Sequence, residues 1–533
     1  MLLPIVLGGI VLLTLHFYAK LRHKRFNQYA NLPQLPTTLL LGHLNVMGRF
    51  ISMGKPNGHP VDNAFQAASE ALGQPPLMLM DLRPFGPAMV IVRSHEIAEQ
   101  ISKASKPFPY SLPKVPQVRG HLVHLAGETS ILGVDGEEWK QLRKRFNPGF
   151  APQHLATLLP QILEKSSIFI DNLDRLATTG GSFSLVRLTA NLTFDIITSV
   201  TMDVDFGAQD EKKAEESDFL KAYNQLFETY ASEQMDLPWF FTPFTEWERQ
   251  RLSKRVRKTL SSIVRDAYTK RDQRTKSRSI LSLSLDDSVT TVTTRAIDEA
   301  CDQLSTFLFA GHDTTSVLIS WMFYELSRTP HALQALRDEL DNLFGPDNNP
   351  STVRDKLLSD GGSDLLNRMP YASAVIKETL RLWPPAGTMR LTEPGAGIKV
   401  QTSAGEEYNL EGVSIYSCAP MIHRDTSVYG DNANDFVPER WLQNQNNIPP
   451  SAWRAFERGP RNCIGQELAN IEARVVVALI ARRYDFVKVG LGALEVDELG
   501  KPILDTNGQY KVTSEMYPVS SLDCLRLSFS WNF

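Results

Sequence analysis

A chain of 533 residues, 42% hydrophobic and 22% charged, has the composition of a globular protein large enough to bury a core and enclose a cofactor. A formal net charge of −4, with no long basic tract, argues against a nucleic-acid partner, which needs concentrated Lys and Arg. Four widely spaced cysteines (Cys301, Cys418, Cys463, Cys524) make no disulfide framework and point to a reducing compartment.

The first element stands apart. Leu2–Tyr18 is almost wholly apolar, and Lys20, Arg22, Lys24 and Arg25 follow it. As a helix this stretch spans roughly 26 Å, enough for a slightly thin bilayer. No basic residue precedes it and no small-x-small site closes it, which favours a retained anchor over a cleaved signal. The basic flank keeps the following chain cytosolic. Residues 1–19 are therefore expected as a transmembrane anchor, 20–36 as a basic and proline-rich linker, and 37–533 as the folded body.

Along the body, Leu77–Val92 reads as a short hairpin and 137–258 as mostly helical, with Pro160 kinking or splitting one helix. Lys270–Thr294, rich in Ser, Thr, Lys and Arg, reads as a solvated loop. A long helix is expected over Thr294–Ser327, stopped by Pro330. It is apolar nearly all round, so it is buried. Its polar group Gly311-His312-Asp313-Thr314-Thr315 is costly there unless satisfied or used. Helices follow at Tyr371–Leu382 and Gln466–Arg482, with strand-like runs between, in Leu391–Ser417. The class is mainly α with a minor β portion.

The segment Phe456-Glu-Arg-Gly-Pro-Arg-Asn-Cys463-Ile-Gly465 ends at a helix start, where free N–H groups favour a thiolate. Gly459 and Gly465 allow tight turns and a close approach to a flat ligand, and Arg461 suits a carboxylate. A lone Cys is more often a small buried hydrophobe. The spacing Phe-x-x-Gly-x-Arg-x-Cys-x-Gly, however, resembles the heme-binding loop of the cytochrome P-450 superfamily. Further segments carry the same resemblance. Glu378-Thr-Leu-Arg381 resembles its Glu-x-x-Arg, with Pro438-Glu-Arg440-Trp as the third partner. Trp139-Lys-Gln-Leu-Arg143 resembles the heme-contacting Trp-x-x-x-Arg. Ala310-Gly-His-Asp313-Thr314 resembles the oxygen-activation motif, with His312 in its variable position. Glu457 and Arg458 depart from the pattern, since small residues are usual there.

The resemblance implies a fold with heme between the long central helix and the Cys-loop helix. It implies heme b (iron protoporphyrin) with Cys463 as metal ligand, and propionates held by Trp139, Arg143, Arg390 and Arg461. Glu378, Arg381 and Arg440 would build the loop, and Asp313 and Thr314 would be the catalytic proton relay, with Gly311 where the backbone passes close to heme. The implied function is a monooxygenase that hydroxylates or epoxidises a hydrophobic small molecule, most like fungal members of secondary metabolism. No flavin or dinucleotide motif is present, so electrons are expected from NADPH through a separate reductase, with Lys140–Arg145 as a docking patch. The anchor places the chain as single-pass in the endoplasmic reticulum membrane with its catalytic domain cytosolic. Pocket walls are expected from Pro107–Ile131, Phe307, Phe309, Ala386–Met389 and Glu515–Pro518.

Overall fold

The computed structural model describes residues 2–53, 61–180, 182–231, 242–270, 278–285, 293–443, 447–489, 493–513 and 528–531. The central helix runs Thr294–Arg328. Thr293 caps its start, the hydroxyl accepting from the Ala296 N–H at 3.2 Å, and Pro330 opens a new helix two residues beyond its end. Nearly every residue of its middle is buried, because other helices cover it on all sides. The closest is Leu185–Met202, joined to it by polar contacts. Thr189 Oγ1 lies 2.9 Å from Ser320 Oγ, and Thr193 Oγ1 donates to the His312 carbonyl at 2.7 Å.

The hairpin forms from Leu77–Asp81 and Ala88–Val92, and all ten residues are buried, as expected of an apolar run covered on both faces. Ser414–Ser417 pairs parallel to its second strand, and Thr388–Leu391 closes the sheet antiparallel. A β-bridge between Lys114 and Arg390 ties a distant loop to that edge. At Pro160 the chain does split: one helix ends at Thr157, and the next, Leu159–Thr179, takes the proline in its first turn, where no N–H is needed.

Two expectations are revised. The linker expected over 20–36 belongs to the body from Arg25 onward. Arg25 is 5% exposed, pairs with Asp81 at 2.7 Å and donates to the carbonyls of Leu39, Leu40 and Arg83; Tyr29 donates to the Gly412 carbonyl and Leu32 is buried. In the expected loop 270–294, Ile280–Ser284 is a buried helical turn lying against Gly149, where a Cβ would sit 2.8 Å from Ile280 Cγ2. Among the described residues no helix is long and apolar enough to cross a membrane. The N-terminal helix spans Leu2–Arg22 and exposes Ile10, Leu12, Leu13 and Phe17.

Candidate active site

The Cys loop turns back on itself through the Cys463 N–H, which donates to the Phe456 carbonyl at 2.9 Å. Gly459 has φ +77°, and a Cβ there would meet the Ser102 carbonyl oxygen at 2.1 Å, so only glycine fits. Gly465 has ordinary φ. Its bare Cα instead leaves room beside the sulfur, 3.9 Å from where a Cβ would stand. The helix Gln466–Ile480 follows. Burial pushes the Cys463 thiol up, while the N–H groups of Gly465 and Gln466 and the Arg143 guanidinium act against that rise. Yet Cys463 has accessible surface. Deep enclosure together with accessible surface means that the sulfur faces an interior space and not bulk water.

Behind the loop the structure brings Glu378, Arg381 and Arg440 together. Glu378 accepts from Arg381 Nε and Nη2 at 2.8 Å, Arg440 Nε at 2.9 Å, the Val437 N–H at 2.9 Å and Trp441 Nε1 at 2.8 Å, with Glu378 and Arg381 fully buried. Burial alone would raise this carboxyl, but the two guanidinium groups and the Val437 N–H outweigh it and hold it below its ordinary range. His423, not singled out in the sequence, links this cluster to the loop. Its Nδ1 lies 3.0 Å from the Arg381 carbonyl and its Nε2 accepts from the Arg454 N–H at 2.8 Å. Burial lowers its pKa to about 3, so it is neutral, with the proton on Nδ1.

Ahead of the loop lies a group of cations. Arg461 pairs with Asp135, donates to the Val134 carbonyl at 2.8 Å and sits 5.1 Å above the Trp139 ring. Arg390 is 1% exposed. Its Nη1 reaches the Leu112 carbonyl only at 3.4 Å, and its Nε and Nη2 are buried without a partner. Lys114 donates to Thr388 Oγ1 at 2.8 Å, and burial, with Arg390 and Arg461 nearby, pushes its ammonium well below the ordinary lysine range. Sequence reasoning placed Lys114 only within the expected wall Pro107–Ile131; the bridge to Arg390 and the contacts with Thr388 and Asp135 bring it here. Arg143 is turned to the loop, donating to the Asn462 carbonyl at 2.6 Å and to Asn462 Oδ1 at 3.0 Å, and so backs Cys463.

On the central helix, Phe309, Ala310, Gly311 and Thr314 are only partly buried amid fully buried neighbours. Thr314 Oγ1 donates back to the Ala310 carbonyl at 2.7 Å. Asp313 is 5% exposed, its Oδ2 has no partner, and burial pushes its pKa up to about 8; no hydrogen bond joins it to Thr314. Gly311 lies beside Ala310 and one turn before Thr314, and its missing side chain makes room for the helix packed against it. A Cβ there would lie 2.7 Å from Ile197 Cγ1 and Cδ1, so the glycine admits the neighbouring helix. His312 points into Phe194, Tyr223 and Phe227, with Nδ1 2.9 Å from the Leu308 carbonyl, and burial lowers its pKa to about 4. Phe307 packs between Phe146 and Phe150 in the core, leaving Phe309 on the more open side. The expected wall Glu515–Pro518 lies outside the described residues.

A loop-held cysteine facing an interior space, with surplus buried cations beside it, agrees with one family. The family model described as Cytochrome P450 matches residues 43–506. The chain belongs to the cytochrome P450 family. "Cytochrome P450 monooxygenase polC" of Polytolypa hystricis is 30% identical over 481 residues, 86% of this chain and 82% of that protein. A "Bifunctional cytochrome P450/NADPH--P450 reductase" of Gibberella moniliformis is 31% identical over 300 residues, 56% of this chain and 25% of that protein. The crystal structure of the cytochrome P450DA heme domain superposes with a TM-score of 0.66 at 19% identity, covering 90% of this chain and 99% of that one, a likeness of fold. The chain is thus a heme-thiolate monooxygenase with the P450 fold, mainly helical with a small sheet portion.

Proposed function

We propose that Cys463 would supply the thiolate ligand of heme b, and that Arg390, Arg461 and Lys114, beside Trp139, would hold its propionates. The observation that carries this is Arg390: a buried guanidinium with two unpartnered nitrogens, next to two further cations, fits a carboxylate-bearing ligand on the side of the loop where Cys463 faces an interior space. Bound heme supplies the activation of dioxygen from which one oxygen atom passes to substrate. This chain's residues do the rest. The N–H groups of Gly465 and Gln466 and the charge of Arg143 favour the thiolate. Glu378, Arg381, Arg440 and His423 hold the loop. Asp313 keeps its proton at neutral pH, and Thr314 passes it on when its hydroxyl leaves the Ala310 carbonyl.

The substrate is a hydrophobic small molecule, hydroxylated or epoxidised, and the likeness to fungal monooxygenases supports a place in fungal secondary metabolism. Electrons come from NADPH through a separate reductase, a reading supported by the relative that joins a P450 to an NADPH–P450 reductase. Of the basic run expected to dock it, Lys140 and Lys144 are exposed, whereas Arg143 and Arg145 are engaged within the fold. The exposed apolar residues of the N-terminal helix and its basic flank support attachment to the endoplasmic reticulum membrane, with the catalytic domain cytosolic. In Cys463→Ala the red-shifted ferrous–CO absorbance should vanish while the fold melts cooperatively. Its survival refutes the thiolate assignment.

A further inference from the structure

A cleft of about 360 Å³ opens beside the Cys loop, and neither the central helix nor Lys114, Arg390 or Arg461 lines it. Arg458 of the loop, Gln466 at the start of the next helix and the helix Pro370–Leu382 all contribute to it. Two indoles present ring carbon there. Trp441 Nε1 donates to Glu378 at 2.8 Å and Trp453 Nε1 to the Lys377 carbonyl at 3.1 Å, so neither N–H is left for a ligand. The Lys377 ammonium lies 4.0 Å from the Trp441 ring centroid and 5.5 Å from that of Trp453. Among the described residues no carboxylate pairs with it, and burial pushes it below the ordinary lysine range. Ser373, one turn earlier on the same helical face, accepts from Arg474 Nε at 3.2 Å, which brings a second cation beside it.

The other charges around the cleft cancel. Arg454 and Arg458 pair with Glu99 at 3.2 and 2.8 Å, and Arg454 also pairs with Glu457, so two cations meet two carboxylates. Arg474 lies 4.0 Å from Glu467. Lys377 keeps its charge uncompensated against apolar rings, a costly arrangement unless a ligand supplies the anion. The size of the cleft favours a small molecule, whose sites run from about 300 to 1,000 Å³, over a protein partner, which needs about 800 Å² of surface. We propose that this cleft is a second binding site, for a small aromatic monoanion whose carboxylate meets Lys377 and Arg474 and whose ring packs against Trp453. The site does not depend on the assignment of Cys463.

The test is a calorimetric titration of the full-length holoprotein with 2-naphthoate. The heme pocket is filled beforehand with clotrimazole, a bulky azole, and the heme absorbance is read in parallel to exclude binding at the iron. Wild type should bind 2-naphthoate at least about tenfold more tightly than uncharged 2-naphthamide, the scale of one hydrogen bond to a charged group. Lys377→Met keeps an apolar stem beside Trp441 and loses the charge, so naphthoate should bind at least about tenfold more weakly. Lys377→Arg keeps the charge and should retain most of the affinity. Thermal melting reports folding, and Arg474→Gln, which should also weaken binding, serves where Lys377→Met fails to fold. No binding to wild type, equal affinity for the amide, or unchanged affinity in Lys377→Met overturns the proposal. Slower electron transfer in Lys377→Met without naphthoate binding to wild type also overturns it, and assigns the cleft to an acidic side chain of a protein partner.

Discussion

Asp313→Asn tests the buried relay through stability as well as turnover. In the unfolded chain this carboxyl titrates near its ordinary value of about 4; in the fold, burial without a partner lifts it to about 8. The folded state therefore keeps a proton that the unfolded state releases between those values. Stability from this group is undiminished below about pH 4, falls as pH rises through the window, and levels off above about 8. At about 1.4 kcal/mol per pH unit, three units from pH 4 to 7 give a penalty of up to about 4 kcal/mol at neutrality. Asparagine has nearly the same shape and does not titrate, so it escapes the penalty. Melting temperatures of variant and wild type, measured from pH 5 to 8.5, should diverge as pH rises, the variant being the more stable. Parallel curves would show that Asp313 is ionised or paired in the fold and would refute the reasoning. In turnover the same variant has no ionisable proton at this position, so product formed per reductant consumed should fall.

Gly311→Ala should destabilise by about 1–3 kcal/mol in chemical denaturation, because its Cβ falls 2.7 Å from Ile197. Adding Ile197→Ala should recover part of that loss, and strictly additive losses would remove Ile197 as the cause. Glu378→Gln leaves two buried guanidinium groups without their anion, a cost of about 3–5 kcal/mol, read as lost heme per polypeptide and a lower melting temperature. A truncation starting at residue 23 should melt like the full chain, whereas one starting at residue 33 loses the Arg25–Asp81 pair and should be less stable by about 3 kcal/mol. Equal melting of the two would return 20–36 to the role of a free linker.

Features carried by contiguous residues were legible in the sequence. The central helix could be bounded because Thr293 and Pro330 act locally, and the Cys loop could be found because its glycines, Arg461 and Cys463 lie within one short segment. The facing of the central helix was not legible: a helix apolar all round has no polar side to orient it, so the packing of Gly311 against Ile197 could not be foreseen. The roles of Lys114, His423 and Arg454 were missed for another reason. Each is an ordinary polar residue locally and gains its surroundings from segments distant in the chain, as Lys114 does from Arg390, Arg454 from Glu99 and His423 from Arg381. Arg25 was misplaced likewise, because a basic residue after an apolar run looks like a membrane flank until Asp81 closes over it.

The Glu378 cluster and the groups ahead of the Cys loop differ in how far their polar atoms are satisfied. Behind Cys463, Glu378 has every oxygen engaged by well-placed donors, and His423 uses both ring nitrogens, an arrangement that resists any second geometry. Ahead of it, Arg390 keeps two idle nitrogens and Asp313 one idle oxygen in buried positions that penalise both. Such costs persist when a bound partner or a moving proton uses the group. The cysteine stands on the boundary between the two regions: its backbone belongs to the rigid side through Phe456, while its sulfur faces the other. A loop that could shift would lose the thiolate's aim. A distal side as fully satisfied as the Glu378 cluster would leave no group free to bind a carboxylate or carry a proton.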